Sequence, residues 1–333
     1  MTRTERWNRK QAAIAGGILA AILGAAVVIP GAALAQTFPS KPIKIVVGFS
    51  AGGPSDIISR VVGAKIGEIL GTQVVIENKT GAGGAIATQS VAQSDPDGYT
   101  LVNTPLATAV NETLSKSIRY SFGKDIVAVA PQAETANILV VHPSLGVKNL
   151  KEFIALVKSK PNEILYATAG RGSATHLNSE FFNIEAGVKM NPVHYKGGAE
   201  TVKDLLSGQV KVMFSSIAPV QALVRDGRLI GIATTGPKRD PAFPDLPTVA
   251  ETIPGFDVRL WMGLSAPGGT PPAVIKVLEE ANRKALALPE IQKALAGQGF
   301  APLAGTAAEF DAFYRKERDK WAKVIKASGM DKE

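Results

Sequence analysis

The stretch Ile43-Lys44-Ile45-Val46-Val47-Gly48-Phe49-Ser50-Ala51-Gly52-Gly53-Pro54-Ser55-Asp56 decides the fold. Its first five residues form an apolar run broken only by Lys44, as in a strand buried on both faces. Gly52 and Gly53 let the chain turn tightly. Pro54 suits the first turn of a helix, where its missing N–H costs nothing, and Ile57, Val61 and Ile66 continue that helix. Strand, glycine turn and helix in this order form the opening unit of an α/β domain.

The same alternation recurs along the chain. Val74 to Ile76 and Tyr99 to Val102 read as strands, the latter after the turn Asp95-Pro96-Asp97-Gly98. Asn137 to Val141, Ile164 to Thr168, Val210 to Phe214 and Leu229 to Thr234 read the same way. Leu150, Phe153, Ile154 and Val157 share one helical face, with Asn149 and Glu152 as a capping pair. Val274, Val277, Leu278 and Ala281 repeat that stripe. So do Phe310, Phe313, Tyr314, Trp321 and Val324, with Glu317 as one polar interruption. Short strands alternating with helices predict parallel sheets covered by helices on both faces.

Bulk properties narrow the function. Four bases and one acid precede an uncharged apolar stretch from Gln11 to Pro30, and Ala33-Leu34-Ala35 follows. This is the pattern of a secretory signal peptide cleaved after Ala35. An uncleaved anchor is the alternative, and the A-x-A site argues against it. The 298 residues beyond Ala35 exceed what one core usually fills, so two domains are expected. With no Cys, disulfides, thiol catalysis and Cys-zinc sites are excluded. The formal net charge is +8, of which +3 lies in the first 35 residues, and the remaining bases are dispersed. That distribution describes a solvated surface, not a nucleic-acid face.

Ligands of parallel α/β sheets bind beyond the carboxyl ends of the strands, so four loops hold the candidate residues. In the first, Ser50, Ala51, Gly52 and Gly53 precede a helix start, where free N–H groups favour an anion; the bland alternative is a tight turn. In the second, Thr168 to His176, Ser173 either caps the helix or donates to a ligand. Arg171 either pairs with a carboxylate or sits in solvent, and a lone His176 is more often structural. The third, Val193 to Glu200, offers the Tyr195 hydroxyl and the glycines 197 and 198. The fourth, Phe214 to Pro219, contains Ser215. Enzyme readings fare poorly. Three histidines show no zinc spacing, no G-x-S-x-G elbow is present, and Gly81-Ala82-Gly83-Gly84-Ala85 lacks the full dinucleotide spacing.

In order, these residues resemble a known family. They begin with Phe38-Pro39-Ser40-Lys41-Pro42-Ile43 and Val47-Gly48-Phe49 leading into Gly52-Gly53-Pro54-Ser55-Asp56. Val75-Ile76-Glu77-Asn78-Lys79 and Asp95-Pro96-Asp97-Gly98-Tyr99-Thr100-Leu101 follow, then Ala169-Gly170 with Gly172-Ser173 and His176, and Tyr195-Lys196-Gly197. Phe243 to Glu251, then Trp261, Gly263-Leu264 and Ala266-Pro267, complete the set. The chain is similar to the extracytoplasmic receptors of tripartite tricarboxylate transporters, the Bug family, over essentially all of its length after Gln36.

The resemblance implies an α/β, two-lobed periplasmic binding protein fold of type II-like topology, hinged between two parallel or mixed-sheet domains. With the chain crossing near Asn137 and Val258, residues 36–136 and 258–333 would form one domain and 137–257 the other. It implies capture of a carboxylate, held by backbone amides of the Gly-Gly and Gly-Ser loops. Carried over residue by residue, the ligand contacts are Ser50, Ala51, Gly52, Gly53, Asp56, Arg171, Gly172, Ser173, His176 and Tyr195. Thr104, within Asn103 to Thr108, would read the far end of the ligand. Many relatives carry Asp where this chain has Ser215, which argues against an amino-acid ligand and for a dicarboxylate. The implied partners are the membrane permease subunits of such a transporter, with no cofactor, no metal, no nucleic acid and a monomeric state. A periplasmic sensor subunit signalling to a membrane kinase, and an α/β enzyme acting on carboxylates, are the competing functions.

Overall fold

The computed structural model describes residues 38–115, 118–171, 173–195 and 198–330. The expected signal peptide and Gly172, Lys196 and Gly197 lie outside the described residues. Ile43–Val47 forms β1, buried at every position but Lys44. It pairs in parallel with β2 (Val74–Asn78) and β3 (Thr100–Pro105), with Ile45 opposite Ile76 and Val46 opposite Val102. The helix after the glycine turn, α1, runs Pro54–Leu70 and ends at Gly71 in the left-handed conformation. Its buried face is Ser55, Ile58, Ser59, Val62 and Ile66, one position round from the expected Ile57 and Val61, which are half-buried. A short turn, Ala82–Gly84, leads into α2 (Ala85–Ala92), and α3 (Leu106–Leu114) follows β3 directly.

A second parallel group consists of β5 (Leu165–Thr168), β6 (Asn191–His194) and β7 (Val212–Ser216), with Thr168 opposite His194 and Ala167 opposite Met213. α4 (Leu150–Ser159) precedes β5, α5 (Ala174–Glu185) and α6 (Gly198–Leu206) lie between these strands, and α7 (Gln221–Arg225) follows β7. The expected cap of α4 is present: the Asn149 side chain accepts from Glu152 N–H at 3.0 Å, and the Glu152 carboxylate accepts from Asn149 and from Lys148 N–H. Two antiparallel strands join the groups, so the sheet is mixed and not wholly parallel. β4 spans Ile126–Val141 and β9 spans Arg259–Pro267. From Ile126 to Ala136, β4 pairs β9, which in turn pairs β3. From Asn137 to Val141 it pairs β7, and from Ile138 it also pairs β8 (Ile230–Thr234). A two-residue β10 (Ala301–Pro302) lies against Ala133 and Glu134. Ten strands thus form one sheet among the described residues.

These registers fix where the loops point. β1 and β3 run with β4, and the end of β3, Pro105, is level through Met262 with Ala133 of β4. β5, β6 and β7 run against β4, and the end of β7, Ser216, is level with Asn137. The carboxyl ends of both groups therefore aim, from opposite ends of β4, at the short stretch Ala133 to Asn137.

Helices α8 (Pro272–Leu286), α9 (Pro289–Gly297) and α10 (Ala307–Ser328) complete the chain. Thr306 and Glu309 cap α10 reciprocally. Its buried stripe packs Phe310, Tyr314 and Trp321 on Trp261 and Phe181. Glu317, the polar interruption of that stripe, is buried there and accepts from the indole N–H of both Trp261 (3.0 Å) and Trp321 (3.1 Å). From Lys41 onward the chain packs as one compact unit. No helix among the described residues is long and apolar enough to cross a membrane.

Candidate functional site

The first loop is built around a carboxylate. Asp56 is buried, and each of its oxygens takes two donors. Oδ2 accepts from Gly52 N–H (2.9 Å) and Arg60 Nε (3.0 Å); Oδ1 accepts from Asn78 Nδ2 (2.9 Å) and the Arg60 guanidinium (2.9 Å). Asn78 also donates to the Phe49 carbonyl at 3.0 Å, which ties the end of β1 to the same cluster. The Arg60 hydrogen bonds, helped by Gly52 and Asn78 and opposed by burial, hold Asp56 down at about 2. Gly53 N–H donates to Ser50 O at 3.2 Å. Both glycine amides, expected to face the ligand, are thus hydrogen-bonded inside the turn. The acceptor capacity of Asp56, expected as a ligand contact, goes to shaping the loop. The free donors are the first-turn N–H groups of Ser55 and Asp56, which have no acceptor among the described residues. Ser50 and Ala51 are exposed at the tip. Gly52 sits at φ +79°, which strains any other residue. Gly48 lies so close to Gly84 that an added Cβ would stand 2.5 Å from the Gly84 Cα, and this packs the loop against the start of α2.

The second loop follows the same plan. Ser173 is the N-cap of α5, accepting from His176 N–H at 3.3 Å, and its own N–H donates to Gly170 O. Thr175 Oγ1 accepts from Ala169 N–H, and Thr168 Oγ1 from Gly170 N–H. Here too the free donors are first-turn amides, those of Ala174 and Thr175. Arg171 is exposed and donates to the Met330 carbonyl at 3.1 Å. His176 is 4% exposed, with its ring 4.7 Å from His194 and 6.3 Å from Tyr166. Burial, then His194 and Arg171, push it down to about 4, so it is neutral at pH 7. His194 Nδ1 lies 2.7 Å from Thr168 Oγ1. Tyr195 N–H donates to Thr168 O, while its hydroxyl bonds Asp204; burial and that carboxylate push it up to about 12.

Thr104 and Ser215 are enclosed by the sheet. Thr104 is fully buried and donates to Ser265 Oγ at 2.7 Å across the β3–β9 pair. Ser215, 2% exposed, faces Ile138. Three buried amides stand out as well, and of these only Asn103 lies in a stretch that the sequence marked. Asn103 at the end of β3, Asn137 at the junction in β4 and Asn178 in α5 are buried with side-chain atoms that have no hydrogen-bond partner. Such groups are uncommon in folded proteins, and nothing in the local sequence marks Asn137 or Asn178 as one. A cavity of about 800 Å³ opens beside Glu134 to Ala136, and none of the expected ligand contacts lines it.

The chemistry on offer is binding. The helix starts present N–H groups and positive dipole ends to an anion. The Ser173 hydroxyl serves as a cap, and His176 sits behind it, buried among rings. Among the described residues no group of three or more His, Asp or Glu could hold a metal.

Known proteins resemble this chain in sequence and fold. The model of the tripartite tricarboxylate transporter family receptor matches residues 58–330. BugT of Bordetella pertussis is 34% identical over 319 residues, covering 93% of this chain and 97% of that protein. Among solved structures, the periplasmic binding protein BugD matches at 31% identity with a TM-score of 0.71, covering 88% of this chain and 99% of its own. A protein of R. palustris solved with adipate matches at 30% identity and a TM-score of 0.73, covering 88% and 98%. MatC from Rhodopseudomonas palustris, with bound malate, matches at 31% and 0.70, covering 86% and 100%.

Proposed function

The chain belongs to the tripartite tricarboxylate transporter receptor family, a family of periplasmic solute-binding proteins and not of enzymes, and we propose that it captures a small dicarboxylate between two lobes and hands it to membrane permease subunits. One lobe would comprise residues 36–136 and 258–333, the other 137–257. The support is the division of β4 at Ala136 and Asn137, where its partners change from β9 to β7 and β8. The observation that carries the ligand class is the pair of helix starts at Pro54 and Ala174. Each has first-turn N–H groups left free, and both open toward Ala133 to Asn137 of β4. A diacid has a carboxylate for each. Relatives solved with adipate and with malate support the same class. Ser215 in place of an acid favours a ligand without an ammonium group.

The test is a thermal melt with adipate, malate, aspartate and glucose. A ligand at 100 times its Kd adds about 2.7 kcal/mol to stability, which for a chain of this size raises Tm by roughly 4 °C. A rise with adipate or malate but not with glucose is expected. A rise with glucose alone would sink the carboxylate reading, and a larger rise with aspartate would sink the argument from Ser215.

A further inference from the structure

The cavity beside Glu134 to Ala136 has walls from both halves of the molecule. Phe300 and Pro302 line it from the segment after α9, while Ile217, Ala218 and Lys238 line it from the loops after β7 and β8. The walls nearly meet at the rim, since a Cβ built on Gly299 would lie 3.7 Å from that of Ala218. A concave space of this size between two halves, apolar with a few polar groups, is the usual form of a small-molecule site.

The charges around it are largely spoken for. Arg259 is paired with Glu134 and, at 2.8 Å through two nitrogens, with Asp257. Arg239 makes two bonds to Glu251, at 2.9 and 2.8 Å. Asp240 accepts from Ala242 N–H at 2.8 Å. Lys238 is exposed and has no acidic partner or hydrogen bond among the described residues. Its ammonium is the cation left to meet a ligand, against one rim carboxylate, Asp240.

We propose that this cavity is a second binding site, separate from the carboxylate loops, for a small anion with an apolar body. The anionic group sits at Lys238 and the body lies between Ile217 and Phe300. Resting on the two-lobed reading above, its occupant touches both halves and so couples to their spacing, changing carboxylate affinity, with the reciprocal effect that linkage requires.

Isothermal titration of the purified protein with naphthalene-1-sulfonate tests this. One site is expected in the wild type, weakened at least tenfold by Lys238→Glu and by Ala218→Trp, which fills the cavity. Lys238→Gln, a milder change on an exposed side chain, should weaken it less. No binding, or equal binding to Lys238→Gln, Lys238→Glu and Ala218→Trp, would overturn the site. Binding that survives Ala218→Trp but is lost in Asp56→Ala would place the probe in the carboxylate loops and also overturn it. Adipate and malate titrations with and without the probe should differ several-fold; identical affinities would remove the coupling. If neither diacid binds at all, the proposed function fails, and the probe titrations still decide the cavity.

Discussion

In the proposed anion site, Asp56 would matter without touching the anion. If its carboxylate faced the ligand, neutralising it would remove a repulsion and tighten dicarboxylate binding. Because it instead gathers Gly52, Arg60 and Asn78, Asp56→Asn should weaken binding at least tenfold, as titration calorimetry will read. The same pairing sets a pH limit. A carboxylate held below its ordinary value stabilises the fold fully above pH 4 and loses that contribution as pH falls toward 2. His176 has the opposite chemistry and a different window. It is a base held at about 4, so the unfolded chain binds its proton first and stability falls as pH drops from 6.5 to 4. The loss is at most roughly 3 kcal/mol. His176→Asn should flatten that part of a urea-denaturation profile against pH, and an unchanged slope would assign the fall to other groups. At Gly52 a Cβ would meet nothing within 4 Å, yet φ is +79°. Gly52→Val therefore acts through backbone strain of about 1–2 kcal/mol and should reduce diacid affinity without blocking the loop's surroundings.

At the scale of elements, local pattern and long-range partnership part company. β1, α1, α4 and the stripe of α10 were legible because each declares itself within a few residues. The first half of β4 was not, since Ala128 to Ala136 contains alanine, proline, glutamine and glutamate and takes its strand form from β9. The loops were found for the same local reason, and their inner wiring was missed, because Asn78 lies 22 residues from Asp56. Glu317 is the sharpest case: a flaw in the sequence pattern is the acceptor that two buried indoles require. Glu317→Leu restores the apolar stripe but strands both N–H groups, a cost of about 2–5 kcal/mol. Glu317→Gln keeps an acceptor and should lose less. Chemical denaturation of the two variants tests the assignment, and a Leu variant as stable as the wild type would reverse it.

Across the whole molecule, β4, β8 and β9 meet at Thr235, the point where the two proposed lobes would join. It is fully buried; its hydroxyl accepts from Asn137 N–H at 2.8 Å and donates to the Val258 carbonyl at 2.6 Å. Its backbone continues the tie, with Thr235 N–H to Asn137 O at 2.8 Å and Val258 N–H to Thr235 O at 2.9 Å. The proposed chain crossings near Asn137 and Val258 would both run through this one side chain. A receptor that closes on its ligand needs a few residues to absorb the rotation while the rest moves as rigid bodies. Thr235 would keep the crossings in register through that motion. Thr235→Val preserves shape and removes both hydroxyl bonds, leaving Asn137 N–H without that acceptor, at about 1–3 kcal/mol. If the junction is only structural, this variant should melt earlier and bind diacid as the wild type does. If it governs closure, affinity should also change several-fold, and the drop in radius of gyration expected on adding diacid, read by small-angle X-ray scattering, should shrink. A wild-type affinity together with a full contraction would leave Thr235 a stability residue alone.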